Sequence, residues 1–176
     1  MTEINVRTLT ENEWELFRSI RLAALKDSPE AFVATYEDES AIAETEWRER
    51  MNRSPRLLAE VDGEPVGVVS VGHSTRRDDA TMGELFGLWV TPEWRGRSVA
   101  ANLVVTGAKF ATEKGLKQLA YWVGSDNGRA VAFASSFGFR PTDERRPMRN
   151  REDETEIMLV LALGADRGTT RNHRNG

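Results

Sequence analysis

Residues 84–103 read ELFGLWVTPEWRGRSVAANL, Glu84 to Leu103, and they decide the fold. An apolar run (Leu85, Phe86, Leu88, Trp89, Val90) breaks at Thr91-Pro92. It passes through a small basic turn, Arg95-Gly96-Arg97-Ser98, and resumes as an apolar stretch of helical character. A buried strand feeding a turn at a helix N-terminus makes an anion site. The first N–H groups of the helix have no intrahelical partner, and the helix dipole favours negative charge there. With arginines on both sides of Gly96, this turn points to a phosphate-bearing ligand whose oxygens accept N–H bonds from residues 96 to 101.

Outward from this segment the pattern alternates between strand and helix. Ile4 to Leu9 alternates as a short strand, and Thr10 with Glu13 forms a capping-box signature. Trp14, Phe17, Ile20, Leu22 and Leu25 then recur at helical spacing until Asp27-Ser28-Pro29. Residues 29–40 read as irregular, and Glu44 to Arg53 as a polar helix carrying Trp47 and Met51. Arg56–Val61 and Pro65–Val71 are strands joined by Asp62-Gly63, a hairpin signal. His73 to Ala80 is a charged connection, and Thr81 to Val90 is the third consecutive strand. A helix over Ser98–Lys114 ends at Gly115. A strand (Gln118–Val123), a helix (Asn127–Ser136) and two strands (near Arg140–Glu144 and Glu156–Leu163) complete the order, and 164–176 reads as a disordered tail. The fold class is α/β: one mixed sheet with helices on its faces, in a single domain over 1–163.

Composition narrows the function. A chain of 176 residues, 39% hydrophobic and 30% charged, fits one soluble domain. It has no apolar window of transmembrane length and no basic-then-apolar leader, so the expected location is cytoplasmic, with no membrane partner. Cysteine is absent, which removes thiolate metal sites and a cysteine nucleophile, and two histidines are too few for a His-rich metal site. No metal is expected. A net charge of −4 argues against nucleic acid as a general partner. A Walker loop would need Gly-Lys-Ser/Thr after the turn, which is missing.

The turn Arg95-Gly96-Arg97-Ser98-Val99-Ala100, preceded by Val90-Thr91-Pro92-Glu93-Trp94, resembles the [Q/R]-x-x-G-x-[G/A] coenzyme signature of the GNAT superfamily of N-acetyltransferases. Asn127, Ala130, Phe133 and Gly138-Phe139 match the spacing of that family's next strand–helix unit. Arg21-Leu22-Ala23-Ala24-Leu25 with Asp27, Pro29 and Ala31-Phe32 resembles its N-terminus. The resemblance covers roughly 4–163 and implies a central, mostly antiparallel sheet with helices on both faces. It implies acetyl-CoA as co-substrate and a small-molecule or peptide amine as acceptor; a homodimer is compatible with it. Leu88, Trp89 and Val90 would run beside the pantetheine arm. Arg95, Gly96, Arg97, Ser98, Val99, Ala100 and Ala101 would hold the pyrophosphate, Ala130 and Ala134 would lie along the coenzyme, and Asn127 would either contact the pantetheine arm or only cap its helix. Two departures stand out: Ser98 occupies a glycine position, and Ala134 stands where relatives carry a tyrosine that protonates the leaving thiolate.

Acetyl transfer from a thioester to an amine sets chemical demands that single out two further roles. The amine, with an ordinary pKa of about 10, must lose a proton, and a carboxylate can take it. Glu84 is the candidate base, placed by even spacing on the face of Phe86 and Leu88. The family implies the Val90 N–H as donor to the developing oxyanion. Glu37, Asp38 and Glu39 read as a solvated acidic helix entry or, beside an acceptor, would favour a cationic amine; Arg145-Arg146-Pro147-Met148-Arg149 reads as an exposed basic loop or, facing the acceptor, would favour an acidic substrate. The alternative is a coenzyme-binding module without turnover, for which Ser98 and Ala134 speak.

Overall fold

A computed structural model of the chain describes residues 3–73, 80–148 and 151–164. Strands β1 (Asn5–Thr8), β2 (Arg56–Val61), β3 (Glu64–His73), β4 (Met82–Val90), β5 (Gln118–Gly124), β6 (Arg140–Met148) and β7 (Arg151–Ala162) hydrogen-bond in the order β1-β2-β3-β4-β5-β7-β6. Pairs β1–β2, β2–β3, β5–β7 and β6–β7 are antiparallel, and β4–β5 is parallel. The helices are α1 (Trp14–Asp27), α2 (Tyr36–Ser40), α3 (Glu44–Arg53), α4 (Val99–Glu113) and α5 (Gly128–Ser135). The residues form two compact units, Met1–Gly72 with Phe86–Gly107, and His73–Leu85 with Ala108–Gly176; β4 and α4 each run from one into the other.

In the first unit, the Thr10 N–H donates to the Glu13 carboxylate at 3.0 Å and opens a single 3-10 turn before α1. Phe17, Ile20 and Ala24 from α1 pack with Trp47 and Met51 of α3, Leu58 of β2, Val68 of β3 and Trp89 of β4. Phe17 and Trp47 meet edge to face at 6.0 Å. Burying each of these large side chains contributes roughly 1.5–3 kcal/mol, so this cluster fixes α1 and α3 on the strands. Asp62 (φ 51°) and Gly63 (φ 79°) both take left-handed backbone, the geometry of a two-residue hairpin turn.

The stretch expected to be irregular contains one turn of helix, α2. Thr35 Oγ1 accepts the Asp38 N–H at 3.2 Å, and Glu39, buried, accepts from Arg21 Nε of α1 and Arg50 Nη1 of α3, each at 3.0 Å. Tertiary charge pairing, invisible to local periodicity, holds this turn.

In the second unit, Gly115 (φ +85°) ends α4 and β5 pairs along its whole length with β7. Strands β6 and β7 are longer than their patterns suggest. Arg145–Met148 of the basic run is therefore strand rather than loop, which corrects the sequence reading, while Arg145 and Pro147 are exposed as expected; Arg149 lies outside the described residues. Arg146 lies opposite Glu156, with Nη2 at 3.4 Å from its carboxylate and Cζ 4.1 Å from the Trp122 ring centroid. Opposite charges facing across strands stabilise such pairing. The charged connection 74–79 and the tail 165–176 lie outside the described residues.

Candidate active site

In the first unit, Phe86–Val90 of the apolar strand and the basic turn form one continuous stretch. Gly87 takes φ +65° in the middle of β4. Phe86 lies beside Phe17 and Arg56, and Trp89 packs with Phe17, Ile20 and Val68. Two residues three apart thus face the same way, so the alternation inverts at Gly87. The expectation that Glu84, Phe86 and Leu88 share one face fails at Leu88 for this reason. The register of β4 with β5 runs from Met82↔Gln118 to Leu85↔Tyr121 and ends ahead of Gly87. The Trp89 side chain belongs to the core, so its expected role toward a coenzyme rests on its backbone alone.

Asp27 organises the end of β4. Its carboxylate accepts from Trp89 Nε1 at 3.2 Å and from Arg95 Nη2 at 2.6 Å, while Arg95 Nε donates to the Val90 carbonyl at 3.0 Å. Ser28, Arg95 and Trp89 hold that carboxyl below its ordinary range. Sequence reasoning saw in Asp27 only a helix stop and a family likeness. Its role as the latch between α1, β4 and the turn before α4 follows from partners 62 and 68 residues away.

The turn itself is shaped by two left-handed residues, Gly96 (φ +75°) and Ser98 (φ +70°). A non-glycine residue held there costs on the order of 1 kcal/mol. Arg97 stacks on Trp94 at 5.1 Å. The first backbone bond into α4 runs from the Asn102 N–H to the Ser98 carbonyl at 3.0 Å. The N–H groups of Val99, Ala100 and Ala101 therefore have no acceptor within the helix. A Cβ built on Gly96 meets nothing within 4 Å, so the outer side of the turn is open. This turn fits a pyrophosphate: open N–H groups, arginines at 95 and 97, and close backbone approach.

The second unit carries the remaining expected residues. Glu84 is buried on β4 opposite Ala120, on the face that includes Met82, Trp122 and Met158. Asn127 caps α5, its Oδ1 accepting the Ala130 N–H at 3.1 Å. Ala130 is half-buried. Ala134 is 1% exposed, and its carbonyl accepts from the Phe137 and Phe139 N–H groups at 3.1 and 3.3 Å. Among the described residues no cluster of three His, Asp or Glu side chains could hold a metal, and no helix is long and apolar enough to cross a membrane.

The acetyltransferase (GNAT) family model matches residues 17–139. An uncharacterized N-acetyltransferase of Archaeoglobus fulgidus is 33% identical over 103 residues, 57% of this chain and 67% of that protein. A mycothiol acetyltransferase of Stackebrandtia nassauensis is 32% identical over 66% of this chain, but the match spans only 38% of that longer protein. In fold, the chain is similar to a GNAT-family acetyltransferase of Streptococcus pneumoniae (TM-score 0.74, 18% identity, 92% of this chain and all of that one). It is also similar to yncA of Salmonella typhimurium, solved with its cofactor acetyl-CoA (TM-score 0.72, 16% identity, 92% and 94% covered). The family match spans the strand, turn and helix described above, and the chain belongs to the GNAT family of acetyltransferases.

Proposed function

We infer that the chain is an N-acetyltransferase that moves an acetyl group from acetyl-CoA directly to a primary amine of a small molecule or peptide. The observation that carries this reading is the β4–turn–α4 device: a strand whose β5 register stops before Gly87, leading into a turn with left-handed Gly96 and Ser98 and a helix with open N–H groups. Acetyl-CoA supplies an activated thioester. The residues around Leu88–Val90 offer backbone groups to the pantetheine arm, and residues 96–101 hold the pyrophosphate. Asp27, through Arg95, keeps the end of β4 and the start of the turn in register.

In the reaction the amine nitrogen donates its lone pair to the acetyl carbon, a C–N bond forms and the C–S bond breaks, with the electron pair leaving on sulfur. Glu84 takes the proton that the amine gives up. The Val90 N–H donates to the carbonyl oxygen as it gains negative charge. A thiolate whose conjugate thiol has a pKa near about 8.5 leaves without a strong acid. Water therefore suffices to protonate it, and alanine at 134 is compatible with turnover. Neither covalent enzyme species nor metal enters this route.

Glu84→Gln tests the assignment. The expected result is a fall in kcat of about 10²–10³ with acetyl-CoA affinity within twofold of wild type, as loss of a general base predicts. An unchanged kcat removes Glu84 from the mechanism. The second reading, a coenzyme-binding module without turnover, rests on the buried Ala134 and the strained Ser98. It predicts acetyl-CoA binding without thiol release on any amine.

A further inference from the structure

The first unit encloses a cavity of about 200 Å³ between α1, α3 and strands β2 to β4. Its wall carries Arg21, Arg50, Arg53 and Arg56 against one carboxylate, Glu46. Glu39 offsets part of this charge from behind, one carboxylate oxygen on Arg21 and the other on Arg50. Among the described residues no carboxylate pairs with Arg53 or Arg56.

Arg56 is the unusual member. It is 8% exposed, its Nη1 donates to Ser70 Oγ at 2.7 Å and its Nη2 to the Arg50 carbonyl at 3.1 Å. The rings of Phe17 and Phe86 lie 4.7 and 5.6 Å from Cζ. The Nε–H is buried without an acceptor. Burial first, and then the positive charges of Arg21, Arg50 and Arg53, push its pKa down to about 10. It stays a cation at neutral pH, its burial offset in part by those two hydrogen bonds and the two rings, with no carboxylate partner among the described residues. A buried guanidinium with an unsatisfied Nε–H, on the wall of a cavity with surplus positive charge, matches an anion such as a carboxylate.

We propose that this cavity is the acceptor site and that it selects small amines bearing a carboxylate, with the carboxylate held by Arg56 and Arg53 and the amine directed to β4 at Phe86-Gly87. The proposal rests on the acetyl-transfer reading above and names its substrate class. Phe86 and Gly87 line the cavity and immediately precede Leu88–Val90, the stretch assigned to the thioester arm. The volume lies below the roughly 300–1,000 Å³ of sites for drug-sized ligands, and an amino-acid-sized molecule fits it. The acidic residues that suggested a cationic amine do not oppose this: Glu39 is occupied by Arg21 and Arg50, and Glu37 and Asp38 do not line the cavity.

Three matched acceptors decide the matter: phenylalanine, phenylalaninamide and phenethylamine, each assayed for thiol release with acetyl-CoA on the full chain. The acid is expected to exceed the amide at least 100-fold in kcat/KM. Arg56→Met is expected to shrink that ratio at least tenfold while acetyl-CoA affinity by calorimetry stays within twofold. Should Arg56→Met fail to fold, Arg53→Gln at the exposed rim is expected to shrink the ratio three- to tenfold. Calorimetry with N-acetylphenylalanine gives a readout without turnover: binding in wild type that disappears in the variant supports the pocket. Thiol release on the amide or the plain amine equal to that on the acid overturns the carboxylate preference and leaves acetyl transfer standing. No heat with acetyl-CoA overturns acetyl transfer itself, and with it the acceptor role of this cavity.

Discussion

Replacing Gly67 by alanine places a methyl group where three atoms already crowd. A Cβ on Gly67 sits 2.9 Å from Val99 Cγ1, 3.0 Å from Leu103 Cδ1 and 3.1 Å from the Trp89 carbonyl oxygen. Carbon atoms prefer about 3.5–4.0 Å, so neighbours must retreat by about half an ångström. They have little freedom to do so. Val99 is β-branched and 1% exposed, Leu103 is fully buried, and the third atom is strand backbone. Overpacking of this kind costs about 1–3 kcal/mol, and the backbone contact places this case near about 2 kcal/mol. For a chain of this size that lowers Tm by roughly 4–8 °C. The retreating elements are the first turns of α4 and the end of β4, which flank the coenzyme turn, so acetyl-CoA affinity is expected to fall at least fivefold. Urea titration measures the first effect as a lower midpoint at unchanged slope, and calorimetry the second. A variant within 0.5 kcal/mol of wild type, with unchanged acetyl-CoA affinity, refutes the close approach of α4 to β3 as the reason for glycine at 67.

Three further perturbations probe separate links. Ser98→Gly relieves a left-handed serine at the expense of a more flexible unfolded chain, so stability is expected to change by about 0 to +1 kcal/mol, whereas Ser98→Val, β-branched at the same φ, loses about 1–2 kcal/mol; urea midpoints of the pair report the difference. Glu39→Gln strips Arg21 and Arg50 of their shared carboxylate, and unfolding is expected about 2 kcal/mol easier at neutral pH, a value reduced for the partial exposure of both arginines. The same residue sets an acid limb: burial raises the Glu39 carboxyl pKa, but Arg21 and Arg50 outweigh it and the net pKa falls below the ordinary value of 4.5. Its folded pKa being the lower one, its contribution is complete above pH 4.5 and is lost as pH drops through the folded value. Wild-type urea midpoints should therefore decline below pH 4.5 more steeply than those of Glu39→Gln, and parallel declines contradict the pairing.

Local rules were enough where a residue type dictates backbone. Asp62-Gly63 gave the hairpin, Gly115 the end of α4, and the polar period of Glu44–Arg53 the whole of α3. The turn between β4 and α4 was legible because strand, small basic turn and helix are consecutive in the chain. What stayed hidden depends on distant partners. Helix α2 exists through Glu39 and two arginines on other helices, and Arg56 became interesting only once β2 brought it among Arg21, Arg50 and Arg53. The end of strand β6, from Arg145 on, reads as basic loop until Arg146 meets Glu156 and Trp122. Gly87 lies within the strand pattern, and its positive φ inverts the faces beyond it, which alternation alone cannot foresee.

The central claim is acetyl transfer from the site built on β4 and α4, and thiol release tests it most directly. The full chain is incubated with acetyl-CoA and, in turn, amino acids, aliphatic amines and short peptides, with the acetylated product identified by mass. Release above background on at least one amine, with the product carrying one N-acetyl group and the rate falling at least 100-fold in Glu84→Gln, is the expected result. Saturable acetyl-CoA binding with no release from any amine would contradict the account and leave a coenzyme-binding module in its place.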